Sequence, residues 1–437
     1  YPLLAYHWRL AGATEQAVAY YEKAGENAFR DYANQEAIRF FTRALELSSE
    51  ANSPVQRARW QRYLGEASYR LTLMEKSESH YLAALALLER PLPTSTPRRV
   101  LGLLREIIRQ VGNYRRDGRA APLPAAGSEQ SPLLEAARAY DGISEIYYNT
   151  GDFLATFYCV MAAFNLAGQA GTSPELVRGY ANMCPTLGTV SLHGLANSYR
   201  ERALALAANL DDLPTKAYIQ IPFSSYSLWV GDWDRAEQEI GEALAIYSRL
   251  GDWRHWCVAA WIWPQAAEGK GELHRARDLW AELYSVALSS QDTRHQVRSR
   301  GGQMFNFLAL GQPEDAFACV DAVGKLLEEN PEMLPVEERL WFAVRAMRAL
   351  HQEQWTEARA LAHELIAAIG RARFKFDLPD VFATSAEVFL TLWERGEADA
   401  DEAKKGCRVL RQYARTYPFA RPRAQHYQAR FDGLDGR

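Results

Sequence analysis

Apolar residues recur along this chain with helical spacing. Between Ala236 and Leu250 they fall at Ala236, Ile240, Ala243, Leu244, Ile246, Tyr247 and Leu250, one face of a helix. Such stretches alternate with short turns in which Gly precedes a polar residue: Gly151-Asp152, Gly231-Asp232, Gly251-Asp252, Gly271-Glu272 and Gly311-Gln312. Gly can close one helix in the left-handed conformation, and Asp can cap the next. Alternating runs with hairpin turns are nearly absent. The pattern predicts an all-α chain.

Small residues impose a longer period of roughly forty residues. They run Ala37, Ser77, Thr156, Ala196, Ala236, Ala276, Ala316 and Ala358, each followed seven residues on by Ala44, Ala84, Ala163, Ala203, Ala243, Leu283, Val323 or Leu365. A fixed period of this size marks stacked helix pairs, each burying its apolar face only against its neighbours. The register fails once, between Ala84 and Ala163. There Arg98–Val111 reads as an amphipathic helix, and Asn113–Pro132, rich in Gly, Pro, Ala and Arg, as a flexible loop. These breaks divide the chain into N-terminal repeats (1–96), a degenerate repeat with its loop (97–132), regular repeats (133–375) and capping helices (376–437). Within the last segment helices are predicted near 381–395 and 401–416, with a closing helix after Pro422.

The units resemble the tetratricopeptide repeat. Tyr21…Ala24-Gly25…Ala37…Phe41…Ala44 and Gly231-Asp-Trp233…Ala236…Ile240…Ala243 keep small residues where that motif keeps them. The period is longer than the motif's, and the terminal Pro is usually missing. The resemblance implies a tetratricopeptide-like α-solenoid of stacked antiparallel helix pairs, stretched by longer helices or turns.

Composition narrows the function classes. A chain of 437 residues with 48% hydrophobic and 24% charged residues is ordinary for a folded protein. A net charge of -4 offers no electrostatic footprint for nucleic acid. The five cysteines are odd in number and lack a C-x-x-C pair, as expected of buried thiols in a reducing cytoplasm. No eighteen-residue apolar run exists, so no membrane span is expected. The chain opens on Tyr1, inside helical-looking sequence and without a signal peptide, which reads as excision from something longer. Only eight of the 50 basic residues are Lys, a bias that fits a GC-rich bacterial genome.

Catalytic signatures fail on inspection. Gly269-Lys270-Gly271 lacks the spacing of a phosphate-binding loop. His363-Glu364 begins like a zinc-protease helix, but Ala367 stands where the second His is required. No G-x-S-x-G elbow occurs. No enzyme activity, cofactor or metal is therefore expected of this segment. Seven Trp fall between 229 and 280. In the repeat frame Trp233 and Trp280 fall on packing positions. Trp229 and Trp261 fall on first-helix positions that face the concave surface, as do Asp141, Glu145, Tyr148, Arg178, Gln265 and Arg298. Aromatics beside Arg and carboxylates suit a peptide or extended protein segment; plain packing is the competing reading. The basic, Pro-punctuated run Arg415–Arg423 reads as a solvated connection between the last helices, with an anion or partner site as the alternative.

Three stretches carry a narrower resemblance. The opening Tyr6-His-Trp-Arg-Leu-Ala-Gly12…Tyr21-Glu-Lys-Ala-Gly-Glu-Asn-Ala-Phe29…Ala44-Leu-Glu-Leu47 looks like the junction between a signalling ATPase and its repeats. Asn165-Leu-Ala…Ser173-Pro-Glu-Leu176…Tyr180-Ala181, with Tyr199…Arg202-Ala203-Leu204 and Phe419-Ala-Arg-Pro-Arg-Ala424, is similar to the C-terminal region of large bacterial adenylate/guanylate cyclases. In that family a cyclase domain precedes an AAA-type (STAND-like) ATPase, and the helical array follows. The resemblance implies a cytoplasmic regulatory arm whose partners are proteins, including upstream domains of the same polypeptide. The competing readings are the sensor arm of a LuxR-type ATPase regulator and a small-molecule receptor using the Trp-rich section.

Overall fold

The computed structural model describes residues 1–31, 33–48, 53–71, 73–117, 131–150, 152–371 and 378–436. Helix α1 (Pro2–Leu10) precedes the units α2 (Thr14–Arg30)/α3 (Asn34–Leu47) and α4 (Pro54–Arg70)/α5 (Met74–Leu87). An additional helix, α6 (Thr96–Asp117), stands before α7 (Pro132–Thr150)/α8 (Phe153–Ala170). Then come α9 (Pro174–Thr189)/α10 (His193–Ala208), α11 (Leu213–Val230)/α12 (Trp233–Leu250) and a split first helix, α13 (Trp253–Ala260) and α14 (Trp263–Gly269), with α15 (Leu273–Ser289). The rest are α16 (Thr293–Ala309)/α17 (Pro313–Glu329), α18 (Leu334–His351)/α19 (Trp355–Arg371), α20 (Pro379–Glu394)/α21 (Ala400–Thr416) and α22 (Arg421–Leu434). No strand occurs among the described residues. The architecture is an all-α, tetratricopeptide-like solenoid of helix pairs, in two compact units divided within α9, Tyr1–Gly179 and Tyr180–Arg437.

The turn chemistry follows the residues. Gly231, Gly251, Gly271 and Gly311 hold φ between +70 and +86, a region that costs other residues conformational strain. The Asp152, Asp232, Asp252 and Asp292 side chains accept from the third residue of the helix they open, satisfying an N–H with no partner within the helix. The break between α13 and α14 falls just before Pro264, which has no N–H to donate to the preceding turn.

The small-residue period is the packing period. Ala37, Ser77, Ala196, Ala236, Ala276, Ala316 and Ala358 are fully buried on second helices. The register slips by one on α8, where Ala155 is fully buried and the predicted Thr156 is only half-buried, its hydroxyl donating to the Asp152 carbonyl. Trp280 is fully buried and Trp233 half-buried, its ring lying against Gly269.

The register gap holds α6, which is longer than the predicted Arg98–Val111 segment and packs on α8 while α5 packs on α7. Asn113–Asp117, expected as loop, continues this helix; the rest of the predicted loop, 118–130, lies outside the described residues. At Gly302 a Cβ would stand 2.5 Å from the Trp280 ring, whereas one at Gly241 would meet nothing within 4 Å. Gly302→Ala is expected to lower stability by about 1–3 kcal/mol through overpacking. Gly241→Ala should raise it by about 0.5–1 kcal/mol through helix propensity. Thermal and urea unfolding followed by circular dichroism reads both signs.

Candidate functional site

In the first unit, charged side chains link successive first helices. Helical spacing places Arg59 and Arg62 on one face of α4, and Glu135, Arg138, Asp141, Glu145 and Tyr148 along α7. Glu175 and Arg178 hold the matching positions at the start of α9. Arg62 Nε donates to Glu135 Oε2 at 2.8 Å, Arg138 Nη1 to Glu135 Oε1 at 3.0 Å, and Arg138 Nε to Glu175 Oε1 at 2.7 Å. Glu135 is 1% exposed, so its charge depends on these two guanidinium groups. Toward the C-terminal end of α7 the face opens: Glu145 and Tyr148 are exposed.

Asp141 lies between the two regions. Burial and then Glu145 push its carboxyl up to about 7, against the opposing pull of Arg178. Asp141, Glu145, Tyr148 and Arg178 were expected as one binding face, and all four belong to this unit. The sequence reading missed Arg62, Glu135, Arg138 and Glu175. Their signal was present, since Glu135 and Glu175, like Arg138 and Arg178, are forty residues apart.

The other four candidates lie in the second unit: Trp229, Trp261 and Gln265 are buried, and Arg298 is half-buried. Trp229 and Trp261 are 7% and 8% exposed and share a core with Tyr413, Tyr417 and Phe382. The Trp229 ring meets Tyr417 edge-on at 5.0 Å, and Trp233 meets Phe419 edge-on at 6.2 Å. The Arg415–Arg423 run is therefore not a solvated connection: Tyr417 and Ala420 are each 1% exposed, and a 3-10 turn at Pro418–Ala420 packs against α11. Its charges drew attention in the sequence, but its aromatic residues determine where it goes.

Gln265 Nε2 donates at 2.8 Å to the carbonyl of Trp261, in the break between α13 and α14. The Arg298 guanidinium lies 5.6 Å from the Trp261 ring, and its Nε donates to Glu337 Oε1 at 3.0 Å. Joint replacement of Trp261 and Arg298 by Ala should cost about 3–5 kcal/mol, chiefly through the buried indole. Urea unfolding of the double variant reads that loss.

Close to these aromatics, Glu268 Oε1 accepts from Trp280 Nε1 at 2.9 Å and from Asn306 Nδ2 at 3.2 Å. Burial, then the charge of Asp380, raise its carboxyl to about 8, while Arg423, paired to Asp380 at 2.5 Å, acts in opposition. A carboxyl whose folded pKa is raised stabilises the fold while protonated. That contribution is lost as pH rises from its ordinary value near 4.5 through about 8. Glu268→Gln retains the acceptor oxygen, so it should melt like the parent in mild acid and higher than the parent above about pH 8. Thermal scans across pH give that comparison.

Elsewhere the chemistry-bearing residues serve the fold. His363 Nε2 lies 2.7 Å from Glu402, which also takes Arg359 in a two-point pair. All five cysteines are buried, and burial raises each thiol's pKa. Among the described residues no group of three His, Cys, Asp or Glu could hold a metal ion, and no helix is long and apolar enough to cross a membrane.

Fold and surface together define a tetratricopeptide-like helical-repeat protein. No family model matches the sequence, and no curated protein matches it. Solved structures of similar fold include a Rap protein complexed with competence and sporulation factor, at 14% identity over 82% of this chain and 99% of that one, with a TM-score of 0.48. Another is aspartyl phosphate phosphatase F from Bacillus subtilis, at 10% identity over 92% of this chain and 94% of that one, TM-score 0.48. A third is a signal transduction ATPase with numerous domains and a tetratricopeptide repeat sensor from Pyrococcus horikoshii, at 13% identity, covering 92% of this chain and 54% of that one, TM-score 0.48.

Proposed function

We propose that the chain is a non-catalytic regulatory arm of a multidomain bacterial signalling protein, receiving a protein segment on the first-helix face of its first unit. The observation that carries this reading is the face itself. Asp141, Glu145, Tyr148 and Arg178 continue a row whose deeper members, Glu135 and Arg138, are engaged with each other and with Arg62 and Glu175. The paired charges at one end tie successive first helices together, while Glu145 and Tyr148 at the other end are exposed to a partner. Trp229, Trp261, Gln265 and Arg298 are the second candidate group; a partner reaching Trp229 would have to displace Tyr417.

An upstream STAND-like ATPase, joined to a nucleotide cyclase in the family the sequence resembles, is the output we assign to this arm. The exposed apolar side chains of α1, Leu3, Leu4, Tyr6, Trp8 and Leu10, favour coverage by a further domain. The sensor arm of a LuxR-type regulator would use the same face with a different output domain. The proposed partners exclude nucleic acid and membrane, and the proposed location is the cytoplasm.

Nucleotide turnover by the parent polypeptide tests the assignment. A Glu145→Lys variant should shift basal turnover or its regulation several-fold while the array keeps its melting temperature, since Glu145 is exposed; turnover and regulation unchanged even when residues 1–437 are deleted would overturn it. Because Asp141 titrates near 7, capture of a cationic segment should tighten as pH rises through neutrality. Asp141→Asn should remove that dependence, which anisotropy titration of the parent's own segments reads.

A further inference from the structure

Helix α6 is amphipathic in the reverse sense. Its polar residues face the protein: Glu106 and Gln110 are 8% and 5% exposed. Glu106 Oε2 and its carbonyl both accept from Asn165 Nδ2 on α8, at 2.8 and 2.9 Å, and Asn113 Nδ2 donates to Asn165 Oδ1 at 3.2 Å. Gly102 lies against the Tyr158 ring. The apolar residues face outward: Val100, Leu101, Leu104, Ile107, Ile108 and Val111 are 42–72% exposed. Leu101, Leu104, Ile108 and Val111 keep the alternating three-four spacing of coiled-coil a and d positions. In that frame Val100 and Ile107 stand at g, and Arg98 and Arg105, both exposed, at e.

From this geometry we infer that α6 is a docking helix for an amphipathic partner helix with acidic flanks. The choice of occupant follows from charge. Over residues 96–113, whose side chains are described, the exposed face carries Arg98 and Arg105 and no carboxylate, because Glu106 is turned inward. A second copy would bring no anion to either Arg, and an antiparallel copy would set Arg105 against Arg105. A membrane surface would need more cations than residues 96–113 supply, since Arg99 is paired to Asp152 and Arg109 to Glu106. A helix with Leu at a and d and Glu at e and g satisfies both the stripe and its rim. This surface is separate from the first-helix face and stands or falls independently of the regulatory assignment.

The test uses the full chain and two labelled three-heptad peptides, one Glu-flanked and one Lys-flanked, in anisotropy titrations at low salt. The Glu-flanked peptide should bind, and the Lys-flanked one should bind at least roughly tenfold more weakly. Leu104→Ser with Ile108→Ser should abolish binding with the melting temperature unchanged, as the residues are exposed. Arg98→Glu with Arg105→Glu should reverse the preference between peptides. Absence of binding, equal binding of both peptides, or a stripe-dependent dimer in light scattering would overturn the proposal. So would preferential binding to vesicles of mixed phosphatidylcholine and phosphatidylglycerol, or peptide binding that appears only after deletion of residues 119–129.

Discussion

Every pair in this protein depends on how closely two helices can approach. Where a glycine on a first helix meets an aromatic ring on a second, the backbones come nearer than any side chain would permit. Gly25 lies under Phe41 and Gly65 under Tyr81, and both members of the contact recur forty residues apart. Later units make the contact between neighbouring pairs instead, as Gly302 does with Trp280 of the preceding second helix. One large ring then fills the space left by one missing side chain, keeping the interface dense without strain. The fully buried small residues do the same in milder form, and the period of the fold is the period of these contacts.

That dependence explains why the architecture was legible in the sequence. Packing positions are short-range, periodic and chemically narrow, so Ala236, Ala276 and Ala316 reveal their role by recurrence alone. The same logic gave Trp280 its place. It failed by one residue at Thr156, the first marker after the register gap, where Ala155 is buried instead. Glycine caps were readable for a related reason: a left-handed residue at a helix end has few chemical solutions.

The candidate surfaces were harder to read, because frame position does not say what covers a residue. Trp229 and Trp261 were assigned to an inner face, yet the residues that enclose the interior around Trp229 come from a segment nearly two hundred positions later in the chain. Tyr417 and Phe419 sit in a run whose arginines and prolines suggest solvent. Nothing in local periodicity pairs them with Trp229 or Trp233. Helix α6 reverses the usual inference in another way. An apolar stripe is ordinarily read as the buried face, but Asn165 of α8 donates to the inward-turned Glu106 and the stripe is left outside. A buried hydrogen-bonded carboxylate makes that orientation costly to undo.

The two units cover their candidate residues differently, and that difference decides where a partner could reach them. A ligand shifts an equilibrium only by as much as it distinguishes two states. In the second unit the aromatic interior is covered by the chain itself, so a partner there must first compete with Tyr417 and Phe419. In the first unit the competition is already weakened: Asp141 is held near neutrality by burial and Glu145, and its ionisation is opposed by the same face that would receive a cation. A bound guanidinium or ammonium group would relieve that opposition, so part of the binding energy would appear as ionisation of Asp141 rather than as new packing. Coupling of that kind needs no large movement of the helices. It is best placed on a row of first helices, where Arg62, Glu135, Arg138 and Glu175 already connect one repeat to the next.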